Sequence, residues 1–222
     1  MEPILSTLAE KVDPGHTALV VVDVQNDFCG DGGYFSDMGY DLSMIQQMVP
    51  RLNSFIARGR EAKVPVVFVR CIYDDIYASA AWTEKRSKRG RTGKALCLSD
   101  TWGAEFFVIS PEPGEVVVTK HRFSAFVGTD LDLVLRSMGI KTLLLSGVAT
   151  NVCVESTARD GYQLDYYIVF LEDCAANTSR ELHNATLENI RRYFGVVTTS
   201  EDVLNVWKGL ARGSRKGGSP SF

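Results

Sequence analysis

The sequence predicts an α/β fold in which a doubly wound parallel sheet of about five or six strands carries helices on both faces. Short runs rich in Val, Leu and Ile recur along the chain, and segments with the apolar spacing of helices separate them. These runs are continuously apolar, which is typical of strands covered on both faces. Strands that alternate with helices in this way indicate crossover connections between parallel neighbours.

Five segments are predicted to be strands because β-branched and apolar residues dominate them. They lie at 17–23, 64–70, 115–119, 143–146 and 166–171, and the short run VVTT at 196–199 precedes the final helix and closes the domain.

Helical spacing predicts further elements between these strands. One helix is expected to begin about Pro50, because proline is tolerated only near a helix start, and to end near Gly59. The others are expected at 131–138, directly after Cys153, and at about 179–193 and 200–210. The segments 25–41 and 71–103 show no sustained period and are expected to be long loops, which commonly carry function.

Length and composition predict a single domain over residues 1–210, followed by a polar, Gly/Ser-rich tail at 211–222 that should be disordered. A formal net charge of −3 gives no electrostatic signal for nucleic acid or an anionic membrane. No run approaches the roughly 18 apolar residues of a membrane span. Five cysteines without a C-x-x-C pair predict free thiols in a reducing compartment, so we expect a cytoplasmic protein.

The stretch GVATNVCVE at 147–155 places Cys153 in the first turn of a predicted helix, directly after a buried strand. Unpaired backbone N–H groups and the helix dipole would favour the thiolate there, which makes Cys153 a candidate nucleophile. Thr150 or Asn151 is expected to cap the helix with its side-chain oxygen. The alternative is an inert, buried cysteine.

Three reactive side chains fall at the carboxyl ends of predicted strands, where open parallel sheets bind their ligands. Asp23 ends the first strand, Lys120 follows the third, and Cys153 lies just beyond the fourth. Asp23 could accept the thiol proton, and Lys120 could hold both anions in place. The alternative interpretation is an ordinary, partly buried ion pair of Asp23 with Lys120.

Several motifs in order, VVVDVQNDF, KHRFSAF and GVATNVCVES with the later RDGY and LEDC, resemble the isochorismatase-like cysteine hydrolases. The resemblance covers about residues 16–205. It implies a catalytic triad of Asp23, Lys120 and Cys153, and a cis peptide between Val148 and Ala149. The backbone N–H groups of Ala149 and Cys153 would then form the oxyanion hole. The family resemblance also implies a homo-oligomer, and a tetramer is the expected form.

The resemblance to individual branches of this family implies the chemistry. Nicotinamidases bind a metal through an Asp and two His after the second strand, but this chain has CIYDDIYASAAW there, and its histidines are only His16, His121 and His183. We therefore expect no metal and no other cofactor. Isochorismatases lack the nucleophilic cysteine, so Cys153 favours acyl transfer through a thioester.

The segment 27–43 resembles biuret hydrolase, whereas GVATNVCVESTARDGY and LEDC resemble ureidoacrylate amidohydrolase. The expected activity is therefore a metal-independent amidohydrolase that releases ammonia from a small carbamoyl or ureido compound such as biuret, triuret or ureidoacrylate. The alternatives are an isochorismatase or nicotinamidase-type hydrolase, and a catalytically silent family member that acts as a binding protein.

A small planar pocket is expected to hold the substrate. Aromatic residues near the strand ends are predicted to form its apolar wall, and one or two polar side chains to contact the substrate. For any single ring, packing in the core is at least as good an explanation as contact with a ligand. The residues are Phe28, Tyr34, Trp102, Phe123 and Phe126 for the wall, and Arg122 or Asn26 for the polar contacts. A basic cluster of Lys85, Arg86, Lys88, Arg89 and Arg91 is expected to be solvated surface without chemistry.

Overall fold

The computed structural model describes residues 3–87 and 95–216, and these form a six-stranded, fully parallel sheet in the order β3-β2-β1-β4-β5-β6. This confirms the predicted doubly wound α/β fold. The strands are β1 (Thr17–Val22), β2 (Val66–Cys71), β3 (Val116–Lys120), β4 (Thr142–Val148), β5 (Tyr167–Ala176) and β6 (Gly195–Thr198).

Helices lie on both faces of the sheet. They are α1 (Leu8–Lys11), α2 (Asn26–Cys29), α3 (Tyr34–Asp37), α4 (Ser43–Glu61), α5 (Ala80–Ser87), α6 (Leu131–Ser137), α7 (Glu155–Gln163), α8 (Arg180–Tyr193) and α9 (Ser200–Lys216). None of these described helices has the length and apolarity that a membrane-spanning helix needs.

Every residue of β1 is buried, and alternate side chains enter two separate cores. Leu19 and Val21 pack in the core beneath α4 and α9, whereas Ala18, Val20 and Val22 pack in the core beneath α6, α7 and α8. A strand with apolar layers on both sides has no polar face, which explains the continuous run TALVVV.

The strand order reverses around β1 and β4, which places a crevice at their carboxyl ends. β4 comes very close to β1 there. Gly147 has a φ of 110°, and a Cβ at this position would lie 2.0 Å from the carbonyl oxygen of Val22. Only glycine permits this approach, which brings the segment after β4 beside the end of β1.

Three details differ from the sequence-based expectations. α4 begins at Ser43 and includes Pro50, although the helix was expected to start about there. Proline removes a single helical hydrogen bond, and the burial of Ile45, Met48 and Val49 against the core outweighs that loss. The expected loops at 25–41 and 71–103 contain α2, α3 and α5, which are too short to show a helical period.

The C-terminal helix α9 continues past the predicted end at residue 210 as far as Lys216. The first six residues of the tail at 211–222, which was expected to be disordered, are therefore helical. No proline stands between 211 and 216 to stop the helix. The remaining residues, 217–222, lie outside the described part of the chain, and so do Lys88, Arg89 and Arg91 of the basic cluster.

Candidate active site

Asp23 directly follows β1 and is fully buried. Its φ of 52° lies in the left-handed region, which Asp adopts more readily than most residues. Its backbone N–H donates to the carbonyl oxygen of Val69 in β2 at 2.9 Å. The chain therefore turns at Asp23 while it stays bonded to the neighbouring strand, and this fixes the carboxylate at the edge of the sheet.

Lys120 ends β3 and is as completely buried as Asp23. Its Nζ lies 2.7 Å from Oδ2 of Asp23 and donates to the carbonyl oxygen of Arg122 at 3.1 Å. β2 separates β3 from β1, and Cys71 of β2 pairs in register with Lys120. The long lysine side chain thus crosses the end of the middle strand to reach the carboxylate.

Cys153 lies in a π-helical turn, Thr150–Val154, that follows the cis peptide between Val148 and Ala149 and leads into α7. The cis bond is present as the family resemblance implied. Cys153 is 5% exposed, so the turn leaves only a small part of this residue accessible to solvent.

The capping that was expected from Thr150 or Asn151 is absent, because the hydroxyl and amide groups of these residues bind elsewhere. Thr150 Oγ1 pairs with Nδ1 of His183 at 2.9 Å, and Oδ1 of Asn151 accepts from Nδ2 of Asn177 at 2.8 Å. α8 and the segment after β5 therefore hold the turn in place.

Burial is the largest single influence on the pKa of each of the three groups. It raises the pKa of Asp23, and the Lys120 ammonium offsets this only in part. Burial alone would lower the pKa of Lys120, but the Asp23 carboxylate together with the nearby Cys153 and Cys71 outweighs it, so the pKa is raised and the amine stays charged. Burial also raises the pKa of Cys153 well above its ordinary value, despite the attraction of Lys120.

These directions correct one sequence-based expectation. The helix start was expected to favour the thiolate of Cys153, but desolvation outweighs that effect, so Cys153 rests as a neutral thiol. A neutral thiol needs a base when it reacts. The buried Asp23 carboxylate, whose pKa is raised, is well matched to that task.

A cavity of about 330 Å³ opens beside Cys153 and Ala149. Its wall is mainly aromatic and apolar. The other lining residues are Phe28, Tyr34, Phe35, Met38, Tyr40, Tyr73, Ser79, Ala81, Trp82, Lys85, Leu96, Phe123 and Val152. This volume is at the small end of the range of about 300–1,000 Å³ that is typical of ligand pockets.

Three residues that were predicted to bind substrate lie on this wall, namely Phe28, Tyr34 and Phe123. Two of them belong to the short helices α2 and α3, and Phe123 follows β3. Tyr34 is also tied down by its backbone, because its N–H donates to Oδ1 of Asp27 at 3.0 Å.

The other four predicted residues are placed elsewhere and do not line the cavity. Asn26 is buried and donates through Nδ2 to the carbonyl oxygen of Trp102 at 2.7 Å, while the Trp102 ring is 50% exposed. The Arg122 guanidinium donates to backbone carbonyl oxygens and covers the ring of Trp82. Phe126 stacks on Tyr166 in the core beneath α6 and α7.

Sequence reasoning missed the contribution of α5. Trp82 lies with its ring centroid 5.2 Å from that of Tyr73 and 5.0 Å from that of Phe123, so α5 is docked against the cavity. Lys85 of the same helix, which was expected to be solvated surface without chemistry, lines the wall. The run AAWTEK is rich in helix formers, and this was the signal that could have predicted α5.

Two buried polar side chains that sequence reasoning did not single out organise the loops around the cavity. Gln25 donates through Nε2 to the carbonyl oxygens of Cys71 and Ala104, and its Oε1 accepts from the Cys71 N–H. Asp27 accepts from the N–H of Cys97 at 2.7 Å. They tie the segment after β1 to the segment after β2.

The three histidines lie apart. His16 contacts the carbonyl oxygen of Glu10, His121 contacts that of Ile72, and His183 pairs with Thr150. Across residues 3–87 and 95–216, no group of three His, Cys, Asp or Glu side chains is arranged to hold a metal ion.

The sequence is similar to a known protein family and to individual enzymes. The family profile described as "Isochorismatase domain" matches residues 17–202. The chain is 36% identical over 217 residues to ureidoacrylate amidohydrolase RutB of Pseudomonas syringae pv. syringae, an alignment that covers 92% of this chain and 89% of the relative. It is 37% identical over 202 residues to the enzyme of the same name from an Enterobacter species, with 85% and 88% covered.

Solved structures share the fold. A cysteine hydrolase from Pseudomonas syringae pv. phaseolicola matches with a TM-score of 0.79 at 25% identity, over 94% of this chain and 98% of that one. N-carbamoylsarcosine amidase from Thermoplasma acidophilum matches with a TM-score of 0.66 at 30% identity, over 83% and 96%. With a family profile that spans most of its length and relatives above one-third identity, the chain belongs to the isochorismatase family.

Proposed function

We propose that this protein is a cysteine amidohydrolase that cleaves a linear C–N amide bond of a small ureido or carbamoyl compound and releases ammonia. The observation that carries the proposal is the buried group of Asp23, Lys120 and Cys153 beside an aromatic cavity. The names of the relatives support it, since they are ureidoacrylate amidohydrolases and an N-carbamoylsarcosine amidase.

In the first step, Sγ of Cys153 attacks the carbonyl carbon while the Asp23 carboxylate accepts the thiol proton. Burial raises the pKa of Asp23 and makes the carboxylate a stronger base than an exposed one. Lys120 remains charged beside it, at 2.7 Å from Oδ2, and so balances the negative charge that moves onto sulfur.

The tetrahedral intermediate places negative charge on the former carbonyl oxygen. We assign the oxyanion hole to the backbone N–H groups of Ala149 and Cys153, and both residues border the cavity. Asp23 then returns its proton to the departing nitrogen, the C–N bond breaks, and ammonia leaves. An acyl group remains on Cys153 as a thioester.

In the second step, water attacks the thioester carbonyl while Asp23 accepts one of its protons. The C–S bond breaks, the proton returns to sulfur, and the acid product leaves. Asp23 therefore acts as base, acid and base again in one cycle. Side chains and backbone groups of this chain perform every step, so we expect activity without an added metal.

The cavity restricts the substrate to a small molecule that can pack against aromatic rings. Its volume of about 330 Å³ and its mainly apolar wall suit a short, planar ureido compound. Cys153 itself is 5% exposed, so little of the thiol meets solvent before a substrate is bound.

The test is a substrate panel of biuret, triuret, ureidoacrylate, N-carbamoylsarcosine and nicotinamide, assayed for ammonia release with EDTA present. We expect turnover of biuret-like or ureidoacrylate-like compounds and none of nicotinamide. Absence of ammonia from every ureido and carbamoyl compound would refute the proposal. Loss of activity on chelation, restored by zinc or iron, would refute its metal-free chemistry.

We also propose that the protein acts in the cytoplasm as a homo-oligomer, a tetramer by resemblance to its family. All five cysteines are free thiols, which suits a reducing compartment. Large apolar side chains are exposed on the isolated chain, among them Leu133 at 72% and Tyr193 at 65%. Contact between subunits would remove such surface from water.

A further inference from the structure

Lys85 is a cationic residue on the wall of the cavity beside Cys153. Among the described residues that line this cavity, no Asp, Glu or Arg occurs, and the other polar side chains carry only hydroxyls, the Trp82 indole N–H and the Cys153 thiol. A positive charge beside an aromatic wall favours a ligand that carries a negative charge at the same place.

The position of Lys85 is fixed by α5. Ala81, Trp82 and Lys85 all line the cavity, as spacings of three and four residues on one helix face allow. The Trp82 ring packs against Tyr73 and Phe123, and the Arg122 guanidinium covers it at 5.2 Å from the ring centroid. The helix is therefore anchored one turn before Lys85.

The Lys85 ammonium is available to a ligand. It is exposed to solvent, and no carboxylate pairs with it in the part of the chain that the structure describes. The catalytic Lys120 provides the contrast, because it is fully buried and bonded to Asp23. The two lysines therefore differ: Lys120 is paired with Asp23, while Lys85 lies at the wall and meets no carboxylate of residues 3–87 and 95–216.

We propose that Lys85 determines specificity by binding a carboxylate on the substrate, at the end away from the amide that Cys153 attacks. This inference rests on the proposed function and narrows its substrate class to short ureido acids. The neutral carbamoyl group lies at Cys153, the planar linker packs on the aromatic rings, and the carboxylate meets Lys85. Without a cation, the apolar wall would desolvate that carboxylate without compensation.

Biuret and triuret carry no carboxylate and gain nothing from this lysine. The inference therefore distinguishes between the two kinds of ureido substrate that the sequence leaves open. It also assigns a role in substrate binding to one residue of the basic cluster.

The test compares 3-ureidoacrylic acid with its methyl ester, and 3-ureidopropionic acid with its methyl ester, by kcat/KM for ammonia release. We expect the wild type to prefer each acid about tenfold or more, because a charge-assisted contact is among the stronger polar interactions. Lys85→Met should lower the acid-to-ester ratio to about one, and Lys85→Arg should retain the preference. Lys208→Met, which removes the same charge from the exposed face of α9, should keep the wild-type ratio.

The ratio does not depend on how much of a variant is folded, since both substrates meet the same enzyme. Equal kcat/KM for acid and ester in the wild type, or an unchanged ratio in Lys85→Met, would overturn the inference and leave the proposed function standing. If no ureido or carbamoyl compound releases ammonia, the proposed function fails and the inference fails with it.

Discussion

Asp23 and Lys120 carry opposite charges at a place that water does not reach. Each charge alone would be costly to bury, and the 2.7 Å contact between them offsets that cost. If the proposed function holds, stability and catalysis depend on the same contact. Sequence spacing left an ordinary, partly buried ion pair open, but these two side chains are both fully buried and stand beside a buried thiol.

Replacement of Lys120 by Met should destabilise the protein by about 3–5 kcal/mol at neutral pH, because it leaves the Asp23 carboxylate buried without a cation. The pKa of Asp23, already raised by burial, should rise further in this variant. Its folded state then binds a proton more readily than its unfolded state, so the variant should regain stability as pH falls. Urea unfolding at several pH values measures this.

The matched control is the double variant Asp23→Asn with Lys120→Met, which removes both charges. We expect it to be more stable than Lys120→Met alone, although inactive. Equal or additive destabilisation in the double variant would show that the two side chains do not stabilise each other.

At the scale of elements, α8 supports the turn that carries Cys153. The contact between His183 and Thr150 joins them, and His183 is itself buried. Burial, helped by the nearby Arg180, lowers the pKa of His183 to about 4. The imidazole is therefore neutral in the folded protein at pH 7, and folding opposes its protonation.

This shift predicts an acid-sensitive contribution to stability. The unfolded chain binds a proton at His183 below about pH 6.5, whereas the folded protein does so only near pH 4. Stability from the neutral imidazole is present above pH 6.5 and is lost as pH falls toward 4. Between pH 7 and pH 4.5, the free energy of unfolding should fall in both proteins. Urea unfolding should show that the fall is smaller in His183→Gln than in the wild type, by on the order of 2 kcal/mol.

His16→Gln is the control, because it removes a histidine near the start of β1 and leaves His183 in place. The free energy of unfolding of His16→Gln should change with pH as it does in the wild type. A difference between wild type and His183→Gln that stays constant from pH 7 to pH 4.5 would contradict the account.

The elements between the strands also show where sequence reasoning reaches its limit. Asp23, Lys120 and Cys153 could be predicted because each lies at the end of an apolar strand, and parallel strands end at one edge. The cavity wall comes instead from short helices such as α2, α3 and α5. Eight residues carry too little periodicity to reveal which side chains of α5 face inward, so Trp82 was missed. Phe126 was misplaced because the segment between β3 and α6 has no regular structure, and so no period shows that this ring stacks on Tyr166.

At the scale of the whole molecule, the fold was predictable because two cores enclose one sheet. Strands such as β1, buried on both sides, are apolar throughout and are recognisable in sequence. Long-range polar contacts were not predictable. Nothing local in the sequence indicates that Gln25 bonds to Cys71 and Ala104, or that Asp27 bonds to Cys97.

The assembly of the molecule gives a further prediction. We expect sedimentation equilibrium to give a mass near four times the 24.5 kDa of one chain. Exposed apolar side chains such as Leu133 and Tyr193 would then become protected on assembly. A mass near that of a single chain across the micromolar range would refute the oligomer.

The central claim is that Cys153 forms a covalent acyl intermediate with Asp23 as its base. The most direct measurement is the mass of the enzyme after rapid acid quenching during turnover of a ureido substrate, with peptide mapping of the adduct. We predict an acyl group on Cys153 in the wild type and none in Cys153→Ala. Turnover should fall by roughly three or more orders of magnitude in Cys153→Ala, Cys153→Ser and Asp23→Asn. An adduct on another residue, or full turnover in Cys153→Ala, would contradict the account.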